Sequence, residues 1–376
     1  MNRINIDRFR PWIVLGLGAL ILFCLAPLAL SDYNLGLLAK FLCFGLVATG
    51  IGLAWGRGGM LTLGQGVFFG LGAYMMAMHL KLADAALQGS EVPDFLQFGG
   101  ATDVPMFWEP FRSGVFTVLA IIIVPTVLAV ALGLLVFKRR VKGAYFAILS
   151  QALAAAFAVF LVGQQSLGSS NGINRFNSFF GYDLADPVNR RMLFFLISGA
   201  VLLALLVAWQ LRRSRYGKLL VAVRDQEERV RFLGYDPANA KVGVFALAAL
   251  LASVGGALFV PIVGIISPTD VGVVPSIAFV IGVAIGGRDT LLGPVLGAVV
   301  VALAQTYLSD NLPQAWPYLQ GLLFIVVIGF VPAGLAGLGL LVKRRSAVVR
   351  PDATSDLATA TTTITTEPTA SEEVSR

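Results

Sequence analysis

Histidine occurs once in these 376 residues, as His79, and cysteine twice, as Cys24 and Cys43. So small an inventory excludes a disulfide framework, a His/Cys metal cluster and a histidine-activated Ser or Cys nucleophile in any recognisable setting. Both cysteines fall inside apolar runs and read as packing residues; no metal or cofactor is expected. Charge is scarce as well: 13% of residues are charged and 57% hydrophobic, with a mean hydropathy of +0.81, whereas a soluble domain carries about 25% charged residues. Gly217-Lys218 lacks the upstream glycine and the following Ser or Thr of a phosphate-binding loop, so the chain does not bind ATP by that route.

What fills the chain is apolar sequence. A membrane span needs about 20 mostly apolar residues, and ten runs qualify: 12–30, 35–55, 61–80, 114–137, 144–163, 192–211, 242–266, 271–287, 291–308 and 318–342. The fold expected is all-α, a polytopic integral membrane protein of about ten transmembrane helices, with a transmembrane domain over residues 1–342. The eighth run is short and contains Pro275, which also permits a re-entrant segment. Ala29-Leu30-Ser31 looks like a signal-peptide cleavage site, but the apolar stretch before it exceeds the core of about 7 to 15 residues of such a peptide and reads as a retained first helix. Residues 343–376, rich in Thr, Ala, Ser and Glu, read as a disordered tail.

Short cytoplasmic loops retain Lys and Arg. With the N-terminus and its Arg3, Arg8 and Arg10 inside, ten crossings also place Lys138-Arg139-Arg140, the segment 212–241, Arg288 and Lys343-Arg344-Arg345 inside, so both termini are expected to be cytoplasmic. The opposite, periplasmic side receives the loops 81–113 and 164–190, the first with Asp84, Glu91, Asp94, Asp103 and Glu109. The net charge of +7 is thereby assigned to topology, with membrane lipid and not nucleic acid as the surrounding partner.

Ion-driven carriers keep ionisable groups within their spans, and this chain has almost none. Lys40 is the main exception; it reads as an anchor snorkelling to the interface. A passive channel, a non-transporting membrane scaffold or a transporter powered by a separate cytoplasmic protein remain. The 30-residue charged segment 212–241 favours the last, because about two to eight residues suffice to join packed helices. As a helix it puts Leu219, Val223, Val230 and Leu233 on one face, with Arg224, Asp225, Glu227, Glu228 and Arg231 largely elsewhere. Gly234 ends that helix, and Asp236-Pro237 reads as the cap and first residue of the next.

Three separated stretches, GGMLTLGQGVFFGLGAY from Gly58, GSSNGI from Gly168 and AVRDQEERVRFLG from Ala222, resemble the permease subunits of branched-chain amino acid and urea ABC importers. The resemblance covers residues 35–342. The acidic loop before the fourth span, residues 148–151, and the residues from Asn171 to Asn174 and from Phe179 to Asp183 look more like the urea-type branch. The resemblance implies a bacterial inner-membrane subunit that is not itself an enzyme. It would act with a second homologous permease, two cytoplasmic ATPase subunits and a periplasmic substrate-binding protein. It also places the ATPase-coupling element at residues 216–234, where Leu219, Val223, Arg224, Asp225, Glu227, Val230 and Gly234 are the candidates.

Uncharged polar residues at membrane depth, Thr62, Gln65, Ser150, Gln151 and Gln305, with Asn171 and Asn174 at an outer mouth, are the candidates for a substrate pathway. Urea offers amide donors and a carbonyl but no charge and could be met by such groups, whereas a zwitterionic amino acid invites a charge or a helix terminus. The expected substrate is therefore urea or a short amide, with a branched-chain amino acid as the alternative. The four-residue glycine spacings Gly66/Gly70, Gly282/Gly286 and Gly293/Gly297 predict close helix packing.

Overall fold

In hydrocarbon every backbone N–H and C=O must find a partner within the protein, and a helix supplies one locally. The computed structural model describes residues 15–98, 103–141, 143–311 and 315–330, and it carries a helix in each of the ten apolar runs. These are α1 (Leu15–Ala29), α2 (Asp32–Arg57), α3 (Gln65–Leu87), α4 (Gly114–Lys138), α5 (Ala144–Val162) and α6 (Pro187–Arg213). The charged α7 (Arg215–Phe232) follows. The last four are α8 (Pro237–Val263), α9 (Val273–Gly286), α10 (Gly293–Asn311) and α11 (Trp316–Phe330). Among the described residues seven helices are long and apolar enough to cross a membrane: α2 to α6, α8, and α9 together with the turn before it, Pro268–Gly286. The helices α1 and α10 are shorter apolar ones and the tenth run extends past the described residues, so among the described residues length and composition establish seven of the ten spans that the sequence predicts. The tail 343–376, the end of the tenth run and the basic clusters at 3–10 and 343–345 lie outside the described residues.

Helix α8 is the centre of the bundle, packed along α2, α3 and α4, while α9 and α10 pair with each other and lie on α2. Burial follows that order: 89% of the apolar window of α3 is inside the protein against 28% for α4 and for α5, whose outer faces are left to lipid or a partner. The α9–α10 crossing depends on absent side chains. A Cβ on Gly286 would strike the Gly293 carbonyl, and one on Gly297 the Gly282 carbonyl, so the two backbones touch and dispersion contacts replace a hydrophobic driving force that lipid does not supply.

Two helix ends depart from the sequence expectation. Residues 61–64, predicted as the start of the third span, are not helical, and α3 begins only at Gln65. It begins deep in the bundle: Phe69, in its second turn, lies against Gly256, more than half way along the parallel α8. At its own end α2 closes with a π-helical turn, Leu53–Arg57, in which the Gly58 N–H reaches back five residues to the Leu53 carbonyl at 3.2 Å.

The bundle has a basic end, carrying Lys138, Arg139, Arg212, Arg213 and α7, and a loop end, carrying residues 88–98, 103–113 and 163–186. The loops are fastened down. Asp84, predicted in a solvent loop, is instead 4% exposed within α3, as is Lys81 at 6%. The Asp84 carboxylate accepts from the N–H groups of Asn177 and Ser178 at 2.7 and 2.9 Å and from the Ser178 hydroxyl at 2.6 Å. Lys81 lies over the Phe176 ring, and a His79 ring nitrogen is 2.8 Å from the Phe111 carbonyl.

Candidate functional site

A cleft of about 820 Å³ opens between α2, α5, α9, α10 and α11. Phe44, Phe69, Phe259 and Phe279 form part of its wall, neighbouring ring centroids lying 5.2 to 6.2 Å apart. Such offset and edge contacts contribute about 0.5–1.5 kcal/mol per pair beyond area burial, which makes this wall stiff. Polar groups are few: Lys40 of α2, Thr269 and Asp270, Gln305, Thr306 and Ser309 of α10, and Gln320 of α11. Gln320 donates weakly to the Val274 carbonyl at 3.4 Å, and its own carbonyl oxygen is buried without a partner. Lys40, read from sequence as an interfacial anchor, thus stands in the cleft wall.

Beside the cleft lies the broken stretch before α3. Irregular backbone at this depth needs donors and acceptors from its surroundings, and two serines provide them. The Ser150 hydroxyl of α5 accepts from the Leu63 N–H at 3.0 Å, and the Ser276 hydroxyl of α9 accepts from the Gly66 N–H at 3.1 Å. Thr62 and Gln65, each 1% exposed, have no partner for their side-chain polar atoms among the described residues. A buried amide in that state carries its desolvation cost uncompensated, about 1–3 kcal/mol, an arrangement expected where a group awaits a ligand or another conformation.

At the loop end, strand β1 (Ile173–Asn174) pairs antiparallel with β4 (Ile265–Ile266), with β2 (Ser178–Phe179) and β3 (Tyr182–Asp183) forming a separate hairpin. The GSSNGI stretch finds its physical reason here. Gly172 has φ +69°, and a Cβ on it would collide with the Ile266 carbonyl. Ser267 then caps the turn Pro268–Asp270, the Asp270 carboxylate accepting from the Ser267 N–H at 3.0 Å and its hydroxyl at 2.7 Å.

At the basic end Ser214 caps α7, its hydroxyl accepting from the Gly217 N–H at 3.1 Å. The Tyr216 hydroxyl donates to the Ala240 carbonyl at 2.6 Å, and burial holds its pKa up at about 12, so it remains a donor. Arg224 donates to the Gly56 carbonyl at 2.6 Å and lies 3.4 Å from Asp289. Arg212 donates to the Asp289 carbonyl, and Arg288 stacks over Trp55. Glu227 pairs with Lys241 of α8 at 2.7 Å and with Arg231 at 3.2 Å.

The family model described as branched-chain amino acid transport system, permease component, matches residues 33–332. The chain belongs to the branched-chain amino acid permease family. It is 25% identical over 345 residues to the high-affinity branched-chain amino acid transport system permease protein LivM of Salmonella typhimurium, covering 85% of this chain and 74% of that protein. To LivM of Escherichia coli it is 24% identical over 347 residues, with the same coverage. The fructose import permease protein FrcC of Rhizobium meliloti is 29% identical over 136 residues, 34% of this chain and 38% of that protein. No solved structure matches the chain. It is a multi-pass membrane permease of the kind found in ABC import systems.

The permease gathers some of the sequence candidates and separates others. Gln305 lines the cleft; Thr62, Gln65 and Ser150 belong to the broken stretch; Gln151 is half-buried away from the cleft lining; Asn171 and Asn174 are exposed on the loops. On α7 the expected stripe of Leu219, Val223, Val230 and Leu233 is divided between buried and exposed positions. Leu220, Val223 and Val230 pack onto the permease body, Leu219 is half-buried, and Leu233 is 71% exposed beside Phe232 at 90%. The helix breaks at Gln226 (φ −149°, ψ 81°). Arg224 and Glu227, candidates for contact with an ATPase, are occupied within the permease, whereas Asp225 is exposed and pairs with Arg224. Gly234, at φ +85°, follows the helix end, and Asp236 caps α8, as the sequence indicates. Asp270, Ser276 and Gln320 escaped the sequence reading. The Ser267-Pro268-Thr269-Asp270 capping pattern was the one signal available.

Proposed function

We propose that this permease is one of two related membrane subunits of an ATP-driven importer and passes a small apolar amino acid of the branched-chain class. The observation that carries the reading is the cleft: its wall is aromatic and aliphatic, and its polar groups include one cation and one anion. Urea has no apolar part to cover Phe44 and Phe69 and no charge to answer Lys40, so the aromatic wall favours the amino acid over the short amide. The names of the LivM relatives point the same way.

In this reading the loop end is periplasmic and receives substrate from a binding protein, both termini are cytoplasmic, and the protein sits in a bacterial inner membrane. One of two cytoplasmic ATPases docks on α7, its partner on the second permease. The part available to it is the free end, Phe232 with Leu233 and Tyr235 just beyond it, because the opposite face is packed on the permease. Helix-in-groove docking uses such apolar anchors.

Uptake of labelled leucine and, separately, of labelled urea by the assembled importer tests the substrate. Uptake of leucine, undiminished by excess urea, supports the proposal; uptake of urea alone returns the assignment to the urea-type branch. Equal flux without ATPase subunits would make the protein a channel, and no flux in any assembly would make it a scaffold.

A further inference from the structure

A residue such as Lys40 is costly inside a membrane protein unless something compensates it. It stands on the ninth position of α2 as the helix enters from Asp32, about 12 Å along the axis at 1.5 Å per residue, and it lines the cleft. Among the described residues it has no hydrogen-bond or ion-pair partner. Across the same cleft stands Asp270, whose carboxylate is held by the Ser267 cap through one oxygen, Oδ2. The other oxygen, Oδ1, makes no hydrogen bond to the described residues. Gly272, Val273 and Val274, the entry to α9, also line the cleft. The positive end of a helix favours an anion nearby. Gln320, with its buried and unpartnered carbonyl oxygen, adds an acceptor to the lining.

Cation, anion and aromatic wall within one cleft are the three features that an α-amino acid with an apolar side chain presents in complement. We infer that the permease itself binds its substrate as a zwitterion, with Lys40 meeting the α-carboxylate, Asp270 the α-ammonium, and the Phe44–Phe69–Phe259–Phe279 wall the side chain. The inference rests on the amino acid reading above and deepens it: selection is then made in the membrane as well as by a binding protein. A ligand carrying one charge alone leaves the opposite pole of the cleft without its complement, and that difference discriminates against it.

The test separates the two poles with ligands that lack one each. Saturation-transfer NMR on the full-length permease in lipid nanodiscs, without binding protein, is recorded for leucine, for leucinol, which has no carboxylate, and for 4-methylpentanoate, which has no ammonium. Wild type is expected to bind leucine best. Lys40→Gln should weaken leucine roughly ten- to hundredfold, the worth of a hydrogen bond to a charged group, while leaving leucinol unchanged. Asp270→Asn should do the converse, weakening leucine and sparing 4-methylpentanoate. Ser267→Ala removes one bond of the cap and keeps the Asp270 charge; leucine binding within about twofold of wild type would separate recognition from loop folding. Leucine binding unchanged in both Lys40→Gln and Asp270→Asn, or absent in wild type, would overturn the inference. Leucine uptake by the assembled importer in the same preparation would then leave the proposed function standing, whereas uptake of urea in its place would remove that reading as well.

Discussion

The Arg224 guanidinium is bonded to the Gly56 carbonyl at 2.6 Å, across 168 residues of sequence. Gly56 belongs to the π-helical turn that ends α2, and α2 carries Lys40, Phe41 and Phe44 into the cleft. Through Asp289, Arg224 also reaches the connection between α9 and α10, two more walls of the same cleft. A movement of α7 is therefore delivered directly to the helices around the proposed substrate.

If this bond transmits the movement, Arg224→Gln should uncouple transport without releasing the ATPase. A third of the Arg224 side chain is exposed, which puts the loss at the low end of charged hydrogen bonds, about 1.5 kcal/mol. Uptake should fall about tenfold while ATPase subunits still co-purify. Loss of co-purification would show that Arg224 touches the ATPase and not only Gly56.

The opposite pattern is expected for Phe232→Asp and Leu233→Asp. Both side chains are exposed and contribute little to the fold, so the protein should remain inserted with unchanged thermal stability while ATPase co-purification and uptake are lost together. Normal co-purification in both variants would remove the free end of α7 as the docking site.

Glu227 and Lys241 join α7 to α8 with 15% and 11% of their side chains exposed. Glu227→Ala should be the more damaging change, because it leaves Lys241 without its carboxylate, and breaking a buried pair costs about 3–5 kcal/mol. Replacing both, Glu227→Leu with Lys241→Met, should recover much of the lost thermal stability. A double variant as unstable as the sum of the singles would deny the coupling between them.

Gln65 gives the sign opposite to an ordinary buried polar residue. Both its amide atoms lack partners, so Gln65→Leu should leave the melting temperature unchanged or raise it, replacing an unsatisfied amide by an apolar group of similar size. If Gln65 faces the pathway, uptake of leucine slows several-fold; Gln151→Leu, away from the cleft lining, should stay within about twofold. Wild-type uptake in Gln65→Leu would show that this amide takes no part in passage.

Much of the architecture was legible because hydropathy reports burial directly: the apolar runs became helices, and Asp236-Pro237 and Gly234 marked a start and a stop through local chemistry. The start of α3 was not legible. Residues 61–64 are as apolar as a helix, and what unwinds them is supplied by Ser150 and Ser276, residues remote in sequence. The apolar stripe of α7 was legible only in part for a related reason: its neighbours in the fold decide which residues are covered, and the permease body takes Leu220, Val223 and Val230 while leaving Leu233 exposed. Lys40 was visible as an anomaly, yet its relation to Asp270 exists only once α2 and the α8–α9 connection are folded together.

The π turn at Leu53–Arg57 also sets an angular register. Deleting one residue there would restore regular helix, and with the Gly56 side held by Arg224 the preceding part of α2 would rotate by about 100° and shift by about 1.5 Å. Lys40, Phe41 and Phe44 would all leave the cleft together. A single extra residue at one end of the helix thus decides which side chains are on view near the other, and a one-residue deletion in this turn should erase leucine binding more completely than any substitution in the cleft itself.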